Sequence, residues 1–72
     1  MKAPFIFRFR SYFGLLYEWF GIGQTAEEAL KNMCSRLLYP IKDIQCLGVL
    51  WSFKKEACLY EYDEPILINE EN

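Results

Sequence analysis

One segment of this chain carries a helix with both ends marked, and every other stretch long enough to form an element reads as strand. Thr25 is followed three residues later by Glu28, so the hydroxyl can accept from the Glu28 N–H while the carboxylate reaches back to the Thr25 N–H in a capping box. The helix is therefore expected to begin at Ala26. Ala26, Ala29, Leu30, Met33, Cys34 and Leu37 recur at helical spacing and form one apolar stripe, with Glu27, Lys31, Asn32 and Ser35 outside it. Pro40 disfavours helical backbone at Tyr39 and sets the expected stop near residue 38. A lone helix with one apolar stripe must lie on something, and only strands are left to receive it.

Residues 5–13, FIFRFRSYF, alternate with period two, Phe5, Phe7 and Phe9 on one side and Ile6, Arg8 and Arg10 on the other. Ser11 to Gly14 read as a turn, with Gly14 supplying a positive φ, and residues 15–22 return as a second strand. Leu15, Tyr17 and Trp19 share one face there and Leu16, Glu18, Phe20 and Ile22 the other; the turn length, and so the register, stays open. After the helix, Ile41 to Asp43 read as a connection. Residues 44–53 then form a long strand apolar on both sides, with Ile44, Cys46 and Leu50 opposite Leu47, Val49, Trp51 and Phe53, as expected of a covered central strand. Lys54 to Glu56 read as a charged turn and residues 57–62 as the fourth strand. Asp63, Glu64 and Pro65 break it, leaving Ile66 to Ile68 as a short edge segment before a frayed acidic tail. The expected fold is α+β in one domain, residues 1–72, with element order β-β-α-β-β: a four-stranded, largely antiparallel sheet with one helix packed across one face.

Function is less constrained, and composition mostly removes classes. With 53% hydrophobic and 18% aromatic residues the chain is too apolar to be disordered. Arg8, Arg10, Glu18 and Lys31 interrupt every apolar run before the ~18 residues of a membrane span, and the start lacks the apolar core of a signal peptide. A cytoplasmic protein without membrane contact is expected. Three cysteines, Cys34, Cys46 and Cys58, with no CxxC pair and no histidine, read as small buried hydrophobes, so neither metal nor cofactor is expected. The absence of histidine also removes His-dependent triads, and the acids converge nowhere in the pattern, so no enzyme is expected.

Gly21-Ile22-Gly23-Gln24-Thr25-Ala26 matches G-x-G-x-x-A between a strand and a helix. That fingerprint works inside a parallel, doubly wound sheet, which this chain is too short to build, and the segment reads instead as a flexible entry into the helix. Arg8 and Arg10 share one strand face, a pattern that suits phosphate contacts. A pI near 5.0 leaves such contacts little driving force, so nucleic-acid binding is the alternative rather than the leading expectation. Residues 1–55 carry eight bases and four acids, whereas residues 56–72 carry six acids and no base, an asymmetry that offers an acidic end to a basic partner.

The stretch Gly23-Gln24-Thr25-Ala26-Glu27-Glu28-Ala29-Leu30, following a hairpin, locally resembles the strand-to-helix passage of HicB-type antitoxins. That likeness implies a small sheet with a helix and a role in neutralising a partner ribonuclease, and it includes no DNA-binding segment. A capped EEAL helix start is common to unrelated proteins, and no family is assigned on it.

The leading expectation is a small non-enzymatic protein-binding module, an inhibitor or modulator of a larger enzyme or complex of the kind a phage or mobile element encodes. A nucleic-acid-binding protein using the Arg8/Arg10 face is the alternative, and a structural subunit of an assembly is a further one. One helix cannot cover both faces of four strands, so the face turned away from it is the expected contact surface for another protein or for a second copy in a homodimer. Trp51 is the first expected anchor and Trp19 the second, joined by Phe53 and Phe20. Arg8, Arg10, Glu61, Asp63 and Glu64 are the expected polar rim.

Overall fold

The computed structural model describes residues 1–53 and 56–68, and for 51–53 and 56–60 the backbone alone. Its elements are β1 (Ala3–Ser11), β2 (Leu16–Gly23), α1 (Ala26–Cys34), β3 (Ile41–Phe53) and β4 (Glu56–Ile68). The strands form one antiparallel sheet in the order β2-β1-β3-β4, with α1 against the β2–β1 half. The expected fold class is the observed one. The Lys54–Lys55 turn lies outside the described residues.

The first hairpin closes as its turn residues demand. The Gly14 N–H donates to the Ser11 carbonyl at 2.9 Å and the Ser11 N–H to the Leu15 carbonyl at 2.8 Å, with Gly14 at φ 85°. This is the three-residue loop in which a type I turn ends on a left-handed glycine. It fixes the register as Phe9↔Tyr17, Phe7↔Trp19 and Phe5↔Gly21. Paired residues share a face, so Phe5, Phe7, Phe9, Tyr17 and Trp19 lie on the helix side and Ile6, Arg8, Arg10, Phe20 and Ile22 on the far side.

The helix starts where its cap puts it. Thr25 Oγ1 accepts from the Glu28 N–H at 3.2 Å, while Glu28 Oε1 accepts from the Gln24 N–H at 3.4 Å, one residue earlier than a standard capping box has it. Thr25→Ala is expected to cost about 1 kcal/mol, seen as a lower denaturant midpoint with an unchanged slope; an unchanged midpoint would mean that the cap carries no stability. The end differs from expectation. α1 stops at Cys34, four residues short of 38, because the Arg36 N–H turns to the Met33 carbonyl and the Leu37 N–H to the Cys34 carbonyl, tightening the last turn. Ser35 Oγ meanwhile donates to the Asn32 carbonyl at 2.7 Å, competing with the helical ladder.

Gly21 and Gly23 are the seat of the helix rather than a flexible entry to it. Both lie on the helix side of β2, and a Cβ at Gly21 would overlap the Ala29 carbonyl oxygen while one at Gly23 would come within 2.6 Å of the Ala29 nitrogen. The helix backbone thus rests on bare strand, and the G-x-G spacing is that of one strand face. The buried core beneath is Phe7, Phe9, Ala29, Met33, Ile41, Ile44 and Cys46.

β3 departs most from expectation. It begins at Ile41 and carries two irregularities against β1: Arg8 pairs with Gln45 but Arg10 with Lys42, and Ile6 pairs with Gly48 but Phe7 with Cys46. Each inserts an extra residue on β3, a β-bulge. At the first, Asp43 takes φ 53°, a left-handed conformation that aspartate tolerates better than most residues. The bulges re-phase the strand, so Ile41, Ile44 and Cys46 all enter the core, and Val49, opposite Phe5, joins the Cys46 side rather than facing away from it. β4 likewise runs through Asp63, Glu64 and Pro65 instead of stopping. Its pairing jumps from Gly48↔Glu61 to Cys46↔Ile66, so Tyr62 to Pro65 bulge against Leu47 alone.

Candidate interaction surfaces

The shortened helix decides what is left open. Nine residues span about 14 Å, whereas the eight residues of β2 extend over about 26 Å. The half of β2 nearest the first hairpin's turn lies beyond the helix, and most of the exposed large apolar side chains among the described residues gather there. Tyr12 is 70% exposed, Phe13 87% and Leu38 98%, with Leu15, Leu16, Tyr17 and Tyr39 exposed around them. The register brings two distant segments together at this end: Ser11 pairs with Ile41, so the chain entering β3 through Leu38 and Tyr39 runs beside the start of the turn.

Arg10 and Ser11 tie this apolar end to its neighbours. Arg10 Nη1 donates to the Gly14 carbonyl at 3.0 Å, and Arg10 Nε lies 3.7 Å from Asp43 Oδ2, tying the turn to the β3 bulge. Buried Ser11 accepts from the Leu15 N–H at 3.3 Å through its hydroxyl. The Tyr12 and Phe13 rings meet edge to face at 5.5 Å. A braced aromatic turn loses little conformational entropy on binding.

Phe20 and Ile22 of the expected contact face do lie on the far side, with Ile22 exposed and Phe20 and Ile6 half-buried. Arg8 and Arg10 share that face, but Arg8 Nη2 holds Glu18 Oε2 at 3.3 Å and Arg10 serves the turn. Trp19 is on the helix side, 37% exposed, with the Arg36 guanidinium 4.7 Å above its ring and 5.4 Å from that of Phe20. Glu61 lies opposite Gly48, and Asp63 and Glu64 are in the β4 bulge, all three exposed. The expected rim is therefore divided, its bases on β1 and its acids on the β4 edge. The side chains of Trp51, Phe53 and Cys58 lie outside the described residues.

Tyr12, Phe13, Leu38 and Tyr39 are exposed apolar residues that the sequence pattern did not mark. A signal was present: turns favour Gly, Pro, Asn, Asp and Ser, and a turn whose exposed positions are Tyr and Phe is out of keeping with that chemistry.

Cys46 is buried in the core, and its burial pushes the thiol above the ordinary value, against weaker opposing hydrogen bonds from the Gly48 backbone and Tyr62. A thiol held protonated in this way is a poor nucleophile. Among the described residues no group of three or more Cys, Asp or Glu side chains is placed to hold a metal ion, and no helix is long and apolar enough to cross a membrane. Comparison with protein-family models, with curated proteins and with solved structures finds no match, so the antitoxin likeness of residues 23–30 remains that of one capped helix start.

Proposed function

We propose that this protein is a small non-catalytic module that binds another protein through the apolar end of its sheet, with Tyr12, Phe13, Leu15, Leu38 and Tyr39 as contacts and Trp19 at the margin. An inhibitor or modulator of a larger enzyme, of the kind a mobile genetic element encodes, is the role that fits a chain of this size. The observation that carries the reading is the convergence of large exposed apolar side chains from two segments on one braced end. Monomers rarely leave such a contiguous patch in water, and aromatic side chains are common interface anchors. Nucleic-acid binding has less support, because Arg8 and Arg10 already carry Glu18 and Asp43 as ionic partners.

The test pairs sedimentation of the purified chain with capture from lysate of the cells that make it, with and without nuclease. Phe13→Asp and Leu38→Asp are expected to leave the melting temperature unchanged and to weaken the captured complex by about 30-fold each, the equivalent of a 2 kcal/mol anchor. Capture that disappears with nuclease, or that survives both substitutions, would overturn the proposal. Concentration-dependent dimerisation abolished by the same substitutions would make the partner a second copy of the chain.

A further inference from the structure

The two edges of the sheet are unlike. On β2 the Phe20 carbonyl accepts from Arg36 Nη2 at 2.8 Å and the Ile22 carbonyl from Asn32 Nδ2 at 2.7 Å. Both donors come from the helix and the turn that follows it, and they occupy acceptors that an incoming strand would need. β4 is the other outermost strand, and no described element lies along its outer side. From Glu56 to Glu61 its pairing with β3 is regular, Glu56↔Phe53 through Glu61↔Gly48, before the Tyr62–Pro65 bulge interrupts it. A regular edge strand of that length presents alternate backbone N–H and C=O groups outward with no partner strand.

Charge selects what can pair there. Glu61, Asp63 and Glu64 are exposed, and residues 56–72 contain no lysine or arginine. A second copy is disfavoured, since symmetric antiparallel pairing over this segment sets Glu56 of one chain against Glu61 of the other, and like charges directly opposite destabilise a sheet. A basic strand meets both requirements, the backbone ladder supplying affinity and the acids selecting sign.

We propose that the β4 edge from Glu56 to Glu61 receives an extended, lysine- or arginine-rich segment of another protein as a fifth, antiparallel or parallel, edge strand. The apolar end is not involved, so the two surfaces can be tested separately. The probe is a capped peptide of alternating lysine and valine, titrated into the isotope-labelled full chain, with a glutamate–valine peptide as control. Amide shifts and slowed hydrogen exchange are expected at Glu56 to Glu61 with the basic peptide and not with the acidic one. Binding is expected to weaken about tenfold between low and half-molar salt, as screening removes the charge attraction. The Glu61→Lys, Asp63→Lys, Glu64→Lys variant, with an otherwise unchanged spectrum, is expected to lose the basic peptide and gain the acidic one, whereas Phe13→Asp leaves both results as they are. Shifts confined to the turn at Tyr12 and Phe13, equal binding of both peptides, binding of neither, or concentration-dependent shifts along β4 without peptide would each overturn the proposal.

Discussion

Gly21→Ala is expected to remove more than half of the protein's stability, although it adds a single methyl group. The added carbon would occupy the space of the Ala29 carbonyl oxygen, with the Ala29 carbonyl carbon 2.7 Å and the Met33 Cβ 3.0 Å away. The two nearest of these are helix backbone, which cannot rotate aside as a side chain does. Relief requires the helix to lift from β2, and lifting it separates Ala29 and Met33 from Phe7 and Phe9. Overpacking of a core costs about 1–3 kcal/mol where neighbours can adjust, and here they cannot, so a loss of about 3 kcal/mol or more is expected. Small domains hold only about 5 kcal/mol in total. Chemical denaturation followed by circular dichroism checks this, and a native-like midpoint for Gly21→Ala would show that the helix does not sit on that glycine. Gly23→Ala, 2.6 Å from a backbone nitrogen at the helix start, is expected to cost less because the chain there can shift with its cap.

Phe7→Ala is expected to cost about 3–5 kcal/mol, the range for removing a fully buried phenylalanine. Phe7 is wholly buried and sits between Trp19 on β2 and Cys46 on β3, below the helix residues that complete the core. Its loss opens a cavity at the junction of three elements, so collapse of one of them cannot fill it. Phe7→Leu, which returns most of the volume, is expected to recover more than half of the loss. Equal destabilisation by the two substitutions would place the importance of Phe7 in its ring contacts rather than in volume.

The parts of this fold that local chemistry dictates were legible in the sequence. The Thr25–Glu28 cap, the Gly14 turn and the phenylalanine alternation each name their structure within a few residues, and the sheet-with-helix architecture follows from them. The second half of the chain was harder because its signals are tertiary. Asp43 adopts a left-handed conformation that glycine usually marks, and the resulting bulge changes which side chains of β3 enter the core. Pro65 reads as a strand breaker, yet it lies in the Tyr62–Pro65 bulge, where no ladder bond needs its missing N–H, so β4 passes through it. The helix end was misplaced because Pro40 set only the latest stop, while Ser35 and the turn at Arg36 ended it sooner. Of the residues expected as contacts, Phe20 lies on the face away from the helix as one of the two open alternations had it, whereas the exposed apolar end was hidden by the habit of treating turns as polar.

The strand order has a consequence for how the chain comes to be folded. Each hairpin joins near neighbours, but the central seam joins β1 to β3, pairing Ser11 with Ile41 and Phe5 with Val49. Those partners are separated by α1 and the second strand, so the seam demands the largest loop closure in the molecule, and folding slows as such nonlocal pairing grows. During synthesis the first hairpin and the helix emerge before β3 exists, and until it arrives β1 has one vacant side flanked by Phe5, Phe7 and Phe9. The ribosome-bound chain therefore passes through an interval in which a strand that will be central is half paired, and the docking of β3 ends that interval.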